Sequence, residues 1–307
     1  MLSTTELHIR AALLRAIRSF FTQQEFLEVD TPLRQRVILP ESNIRALRAG
    51  EQYLQTSPES CMKRLLARGC SRIFQISPCF RKEEKGRRHL EEFTMLEWYR
   101  SNATYEHLMD DCLELLKFLA ETMAGEYPEL GRNCSSISHH QGENGAVAYQ
   151  KITVAEAFSR WSPIGLDKAL AEGNFDEILV EHIEPHLGIG EVAFLIDYPA
   201  SMASLAKRKD DDLNVAERFE LYLQGVEIAN GFSELIDPVE QRSRFQKEIE
   251  TIFDETGERM AMPEKFLTAL DHLADCAGIA LGIDRLFMLI LGKNDINEAI
   301  TFSPKDL

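Results

Sequence analysis

Two apolar runs, Arg72 to Phe80 (RIFQISPCF) and Phe93 to Tyr99 (FTMLEWY), flank a highly charged stretch that contains Gly86. They read as a strand, a long loop and an antiparallel strand, and this pairing limits what the rest of the chain can become. Phe26 to Pro32 (FLEVDTP) is also strand-like and stops at a proline, which supplies no ladder donor. Glu191 to Tyr198 alternates as a strand does, and Leu221 to Leu235 (LYLQGVEIANGFSEL) reads as strand, turn and strand about Asn230-Gly231. Gly278 to Leu291 is a Gly-punctuated strand that passes into an apolar helix. Helices fall between these segments. Ser3 and Glu6 have capping-box spacing, and Leu7, Ala11, Leu14, Ile17 and Phe21 continue as an amphipathic helix to about Gln24. Ser57 to Ala67 opens at Ser-Pro, and Asp110 to Glu121, Val154 to Trp161, Asp167 to Leu170 and Pro238 to Phe253 are helical by period. The expected class is α+β, a mostly antiparallel sheet flanked by helices. One domain over 1–307 is expected, with a surface insertion or linker from Gly125 to Gln150 that holds the adjacent His139 and His140.

Composition narrows the function classes. The chain has 307 residues, with 34 Lys and Arg against 50 Asp and Glu, for a formal charge of −16. Such a surface repels phosphate backbones at long range, which disfavours non-specific nucleic-acid binding but leaves room for a local basic patch. Nowhere do the roughly eighteen consecutive apolar residues of a membrane span occur. The amino terminus runs directly into Glu6, His8 and Arg10, so the expectation is a soluble, cytoplasmic protein without membrane contact. Cys61, Cys70, Cys79, Cys112, Cys134 and Cys276 form no CxxC pair, which points to neither a disulfide framework nor a zinc site.

Three clusters could carry chemistry. In FRKEEKGRRHLEEF, from Phe80 to Phe93, Arg81 and Glu83 would share a strand face while Lys85, Arg87, Arg88 and His89 crowd a loop tip suited to a polyphosphate; a solvated hairpin tip has the same composition. Glu227, Asn230 and Glu234 sit among Val226, Ile228, Phe232 and Leu235. Carboxylates there fit Mg²⁺ or a bound ammonium, or two edge-exposed acids. In GIALGIDR, Gly278 and Gly282 would permit close ligand approach and Arg285 would open a helix whose amino end favours anions; a packed strand-to-helix joint reads alike.

Taken together, the segments resemble the class II aminoacyl-tRNA synthetases. FLEVDTP is similar to their motif 1, FRKEE…HLEEF to motif 2 and GIALGIDR to motif 3, in the same order. TSPESCMKRLLARG, FTMLEWYR, SLAK, AERFELY and GVEIANGFSELIDP are similar to lysyl-tRNA synthetases in particular. Only one helix precedes motif 1, so no anticodon-binding domain is expected. This resembles the free-standing lysyl-tRNA synthetase paralogues that attach (R)-β-lysine to a lysine of elongation factor P.

The resemblance implies ATP and Mg²⁺ as cofactors, β-lysine as substrate, elongation factor P as acceptor, a homodimer built on motif 1, and no efficient tRNA binding. It implies that Arg81 holds the α-phosphate and substrate carboxylate, and that Glu83, the Leu90 backbone and Phe93 contact adenine. Arg285 would stack above adenine and reach the γ-phosphate beside His89, with Ile228 and Gly282 also against ATP. Glu227 would bind the metal, Glu234 an amino group of the substrate, and Ser57, Glu59 and Tyr99 the rest of the amino acid. Three positions depart from the family pattern: Leu90 and Glu91 replace asparagine and proline, and Lys82 stands where asparagine is common. Ala280 stands where lysyl-tRNA synthetases have glycine and the paralogues have alanine; its methyl group would crowd an α-amino group more than a β-amino group. Two other readings fit the class, a lysyl-adenylate-forming paralogue with another acceptor and a regulatory paralogue without catalysis.

Overall fold

The computed structural model describes residues 1–138 and 147–306. Its strands are β1 (Leu27–Glu28), β2 (Arg34–Gln35), β3 (Arg48–Ala49), β4 (Gln52–Leu54), β5 (Arg72–Phe80), β6 (Glu92–Ser101), β7 (Tyr149–Thr153), β8 (Val192–Pro199), β9 (Val215–Leu223), β10 (Val226–Ser233) and β11 (Cys276–Gly282). The helices are α1 (Thr4–Gln23), α2 (Glu59–Leu66), α3 (Tyr105–Glu126), α4 (Gly131–Ser138), α5 (Val154–Trp161), α6 (Leu166–Glu172), α7 (Phe175–Ile178), α8 (Pro238–Thr256), α9 (Glu264–Leu270) and α10 (Ile283–Ile290). Eight strands form one sheet in the order β1-β5-β6-β11-β10-β9-β8-β7, and β2-β4-β3 form a second. The large sheet is antiparallel throughout its centre and parallel only at its two ends, β1 with β5 and β7 with β8. The expected α+β class holds, and no described helix is long and apolar enough to cross a membrane.

Strand alternation decides which side becomes a site. Leu96 and Trp98 of β6, Ala277, Ile279 and Leu281 of β11, and Phe219 and Leu221 of β9 enter one core with α1, α3, α4 and α10. Met95, Glu97 and Tyr99, and likewise Gly278, Ala280 and Gly282, therefore face the other way. On that side α2, α8 and α9 pack around Met62, Phe245, Phe266 and Tyr99.

Four expectations need correction. The turn between β9 and β10 is Gln224-Gly225, both at positive φ (52° and 70°), whereas Asn230-Gly231 lies inside β10. Packing overrides the turn propensity there: a Cβ on Gly231 would come within 2.8 Å of the Phe219 ring and 3.0 Å of Ile279, so only glycine lets the neighbouring strands close. The strand expected over Phe26 to Pro32 shrinks to β1. In α1 the capping box forms and Ile17 and Phe21 are buried as expected, but Leu7 and Ala11 are exposed, and the buried face is Ile9, Ala12, Leu13, Ala16, Ile17, Phe20 and Phe21, packed within the same subunit. The segment from 125 is not wholly surface, because Leu130, Cys134 and Ile137 are buried in the main core. His139 and His140 lie outside the described residues.

Phe21 is fully buried, stacked on Phe74 at 4.8 Å between ring centres and edge-on to Phe20 and Phe26. Phe21→Ala should cost about 3–5 kcal/mol, measured as a lower urea midpoint at unchanged slope.

Candidate active site

All the residues expected at the site except Glu83 and Glu234 line one cavity of about 340 Å³ above the β6-β11-β10 surface. Register fixes its long axis. Gly278 pairs with Tyr99 and Gly282 with Met95, so the two glycines mark opposite ends of a floor about 13 Å long at the usual strand rise.

At the Gly278 end the chemistry is acidic. α2 begins after Pro58 and presents Glu59 and Lys63 one turn apart, and the Lys63 Nζ, almost wholly buried, lies 2.5 Å from Glu59 Oε1 and also against Glu234 Oε2. Its ammonium lies over the rings of Phe232 and Phe266 as well. Burial alone would lower the Lys63 pKa, but Glu234 and Glu59 together raise it, so this lysine keeps its charge. Glu234 thus sits just behind the cavity wall, its Oε1 without a hydrogen-bond partner and directed at Gly278. A Cβ on Gly278 would overlap the Tyr99 ring and come within 2.5 Å of that oxygen, so glycine is required there. Tyr99 donates to Glu97 Oε1 at 2.5 Å, while Glu97 Oε2 has no partner. Burial, with repulsion from Glu59, pushes Glu97 well above the usual carboxylate range, and burial lifts Glu234 to about 8 despite Lys63. Three buried acids thus sit around one fixed ammonium, which pairs with two of them, Glu59 and Glu234.

The Gly282 end is cationic. The Arg81 guanidinium lies 5.2 Å from the centre of the Phe93 ring and 3.5 Å from Glu84, and its Nε reaches the Thr56 carbonyl at 3.4 Å. Arg285, at the start of α10, donates to the Arg88 carbonyl, the Glu227 carbonyl, Glu227 Oε2 at 3.0 Å and His89 Nε2 at 2.8 Å. Burial, and then Arg285 itself, lower the His89 pKa, which keeps that nitrogen free to accept. Leu90 and Ile228 are buried cavity walls. Ser57 lines the cavity and its Oγ accepts the Glu59 amide at 3.3 Å, fixing the start of α2.

Glu83 departs from the sequence reading. β5 ends at Phe80, Glu83 takes a positive φ of 69°, and its exposed carboxylate pairs with Arg45 at 3.0 Å outside the cavity. The shared strand face expected for Arg81 and Glu83 does not exist; Glu84 is the acid beside Arg81. Lys63, Glu97 and Glu220 were not found from the sequence. Each had a signal: an acid and a base one turn apart among Met62 and Leu66, and single acids inside the apolar strands FTMLEWY and AERFELY.

Near Glu227, two further acids crowd together. Glu220 accepts from Arg218 at 2.7 Å and from Tyr222, and burial followed by the Glu227 charge raises its pKa. Glu184 is pushed up to about 7 by burial and then by Glu227 and Glu220. This mutual repulsion suits a divalent cation. Among the described residues no three His, Cys, Asp or Glu converge as a complete metal cage; an ion at Glu227 would need substrate phosphates as further ligands.

The sequence model of the family described as tRNA synthetases class II (D, K and N) matches residues 3–306. The chain is 38% identical to the elongation factor P–(R)-beta-lysine ligase of Pectobacterium carotovorum subsp. carotovorum, over 98% of this chain and 95% of that protein. It is 36% identical to the ligase of the same name from Vibrio campbellii, over 98% and 96%. For the one from Proteus mirabilis the identity is 37%, over 95% and 93%.

Glu184 keeps its proton in the fold over a range where the unfolded chain has lost it, so its contribution to stability falls between about pH 5 and about pH 7. Glu184→Gln, neutral throughout, should lose less stability than the wild type over that interval. Urea unfolding at the two pH values checks this, and equal losses would mean that Glu184 is ionised in the native state.

Proposed function

Because the chain belongs to the class II tRNA synthetases (D, K and N), we propose that it joins (R)-β-lysine to a lysine side chain of elongation factor P, the activity named for its relatives. It is an ATP-dependent ligase of synthetase type. The observation that carries the substrate reading is the polarity of the cavity: buried carboxylates at the Tyr99 end and guanidinium groups at the Arg81 end. A diamino acid has the matching pattern, with ammonium groups along the molecule and a carboxylate at its tip.

In this reading the substrate carboxylate attacks the α-phosphate of ATP and displaces pyrophosphate, and the acceptor amine then displaces AMP from the adenylate. Arg81 holds the carboxylate and α-phosphate together, its planar fork matching two oxygens and neutralising charge as the phosphorane develops. Phe93 and Arg285 enclose the adenine between them, with His89, the Leu90 backbone, Ile228 and Gly282 completing the nucleotide contacts. Glu83 is outside the cavity in this conformation and has no part in the assignment. Glu59, Tyr99 and Glu234 take the substrate ammonium groups, and Ser57 the amino-acid end of the pocket. Glu227 would hold Mg²⁺, with Glu220 beside it; when bound, that ion neutralises the phosphate charge.

The homodimer belongs to the same proposal, supported by the open edge of β1 and by the exposed Leu27 and Leu33 around it. So do a cytoplasmic location and weak tRNA binding, the latter in keeping with the charge of −16.

Incubation with ATP, (R)-β-lysine and unmodified elongation factor P should add the mass of one β-lysyl group to the acceptor; an unchanged acceptor would refute the reading. Arg81→Ala should abolish amino-acid-dependent pyrophosphate exchange at an unchanged melting temperature. Ala280 lies on the cavity floor opposite Asn230 and Glu97. Ala280→Gly should move the kcat/KM ratio toward α-lysine by about 1–3 kcal/mol. An unchanged isomer ratio would reduce Ala280 to a packing residue.

A further inference from the structure

One carboxylate in the cavity has neither a task in the reaction as described so far nor a partner among the described residues. Glu41 lies on the loop between β2 and β3, half-buried, and lines the same cavity as Arg81 and Glu59. That loop is tied down on two sides. The Ser42 amide donates to Glu248 Oε2 of α8 at 2.7 Å, and the Lys82 amide donates to the Arg45 carbonyl at 2.6 Å.

Every other acid lining the cavity is engaged. Glu59 pairs with Lys63, Glu84 with Arg81, Glu97 with Tyr99, Glu227 with Arg285, Glu248 with the Ser42 amide and Asp284 with Arg10. The Glu41 side chain alone has no hydrogen-bond or ion-pair partner among the described residues. The charges that act on it are those of Glu59, Arg81, Glu248 and Lys63. It opens on the same cavity as Arg81, the guanidinium to which the reading above, on which this inference rests, assigns the substrate carboxylate.

We propose that Glu41 is the proton acceptor for the incoming lysine amine in the transfer step. A lysine side chain arrives as an ammonium and has no lone pair with which to attack. Glu41 takes one proton from it. The nitrogen lone pair then forms the C–N bond to the adenylate carbonyl carbon, and the bond from that carbon to the AMP oxygen breaks, with AMP leaving on the electron pair. The second proton lost by the nitrogen goes to the AMP phosphate. Synthetases that charge a ribose hydroxyl have no ammonium to neutralise, so the need for this acceptor comes with the amine. Burial, and then repulsion by Glu59, lift Glu41 to about 7, which makes its carboxylate a stronger base than an exposed one at neutral pH.

The test separates the two half-reactions. Glu41→Gln should sustain β-lysine-dependent pyrophosphate exchange within about twofold while transfer to elongation factor P falls by about 10²–10⁴-fold. Hydroxylamine, a nucleophile that is neutral at pH 7, should still trap the adenylate at the wild-type rate. Glu41→Asp, which retains a carboxylate, should recover part of the transfer, and neither variant should melt below the wild type because no contact is lost. Transfer at the wild-type rate by Glu41→Gln would overturn the proposal. So would a raised KM for β-lysine in exchange, which would make Glu41 an amino-acid ligand, or an equal loss toward hydroxylamine and protein. Absence of exchange in the wild type would instead refute the functional reading itself.

Discussion

The buried ammonium of Lys63 is the interaction on which the substrate end of the cavity depends. It joins Glu59 of α2 to Glu234 just beyond β10, so that one side chain locks the helix against the sheet and sets the positions of two acids. Removing one partner of such a pair leaves an uncompensated buried charge, which costs far more than the pair itself contributes. The residues around it are arranged accordingly. Phe232 and Phe266 cover the ammonium, and Gly278 leaves room for Glu234 and Tyr99 to meet. A pocket with three acids and one fixed base keeps an unmet demand for positive charge, the demand that the proposed diamino acid substrate would answer.

The cationic end is organised differently. Arg81, just past β5, and Arg285, at the start of α10, are positioned by main-chain carbonyls and by acids that also line the cavity, and both are less deeply buried than Lys63. Salt and solvent reach them more readily than they reach Lys63. One end of the cavity is thus sealed from solvent and the other open to it.

Much of this was legible in the residues. The strands RIFQISPCF and FTMLEWY, the motif 3 strand and the capping box of α1 all follow local rules that tertiary packing reinforces. What was not legible depended on long-range contacts. Asn230-Gly231 has the composition of a turn, yet the gap between Phe219 and Ile279 needs a glycine inside a strand. Glu83 was placed by assuming that β5 continued, whereas the chain turns at Arg81 and a left-handed residue sends that side chain outward. Period alone could not tell which stripe of α1 is buried, because Leu7 and Ala11 are as apolar as the residues that pack. The acid of Glu97 was visible in its strand, but its significance appears only once Tyr99, Glu59 and Glu234 surround it.

Arg285 offers a last consequence. Its donors are occupied by the Arg88 carbonyl, both kinds of oxygen of Glu227, and His89. A nucleotide that recruits this guanidinium must exchange those bonds one for another, so part of its intrinsic affinity goes into unlatching the protein. The same exchange frees Glu227 and loosens residues 88 and 89 together. If ATP recruits Arg285 as proposed, nucleotide occupancy and loop position form one equilibrium, and whatever steadies that loop in its released state tightens ATP binding without touching ATP.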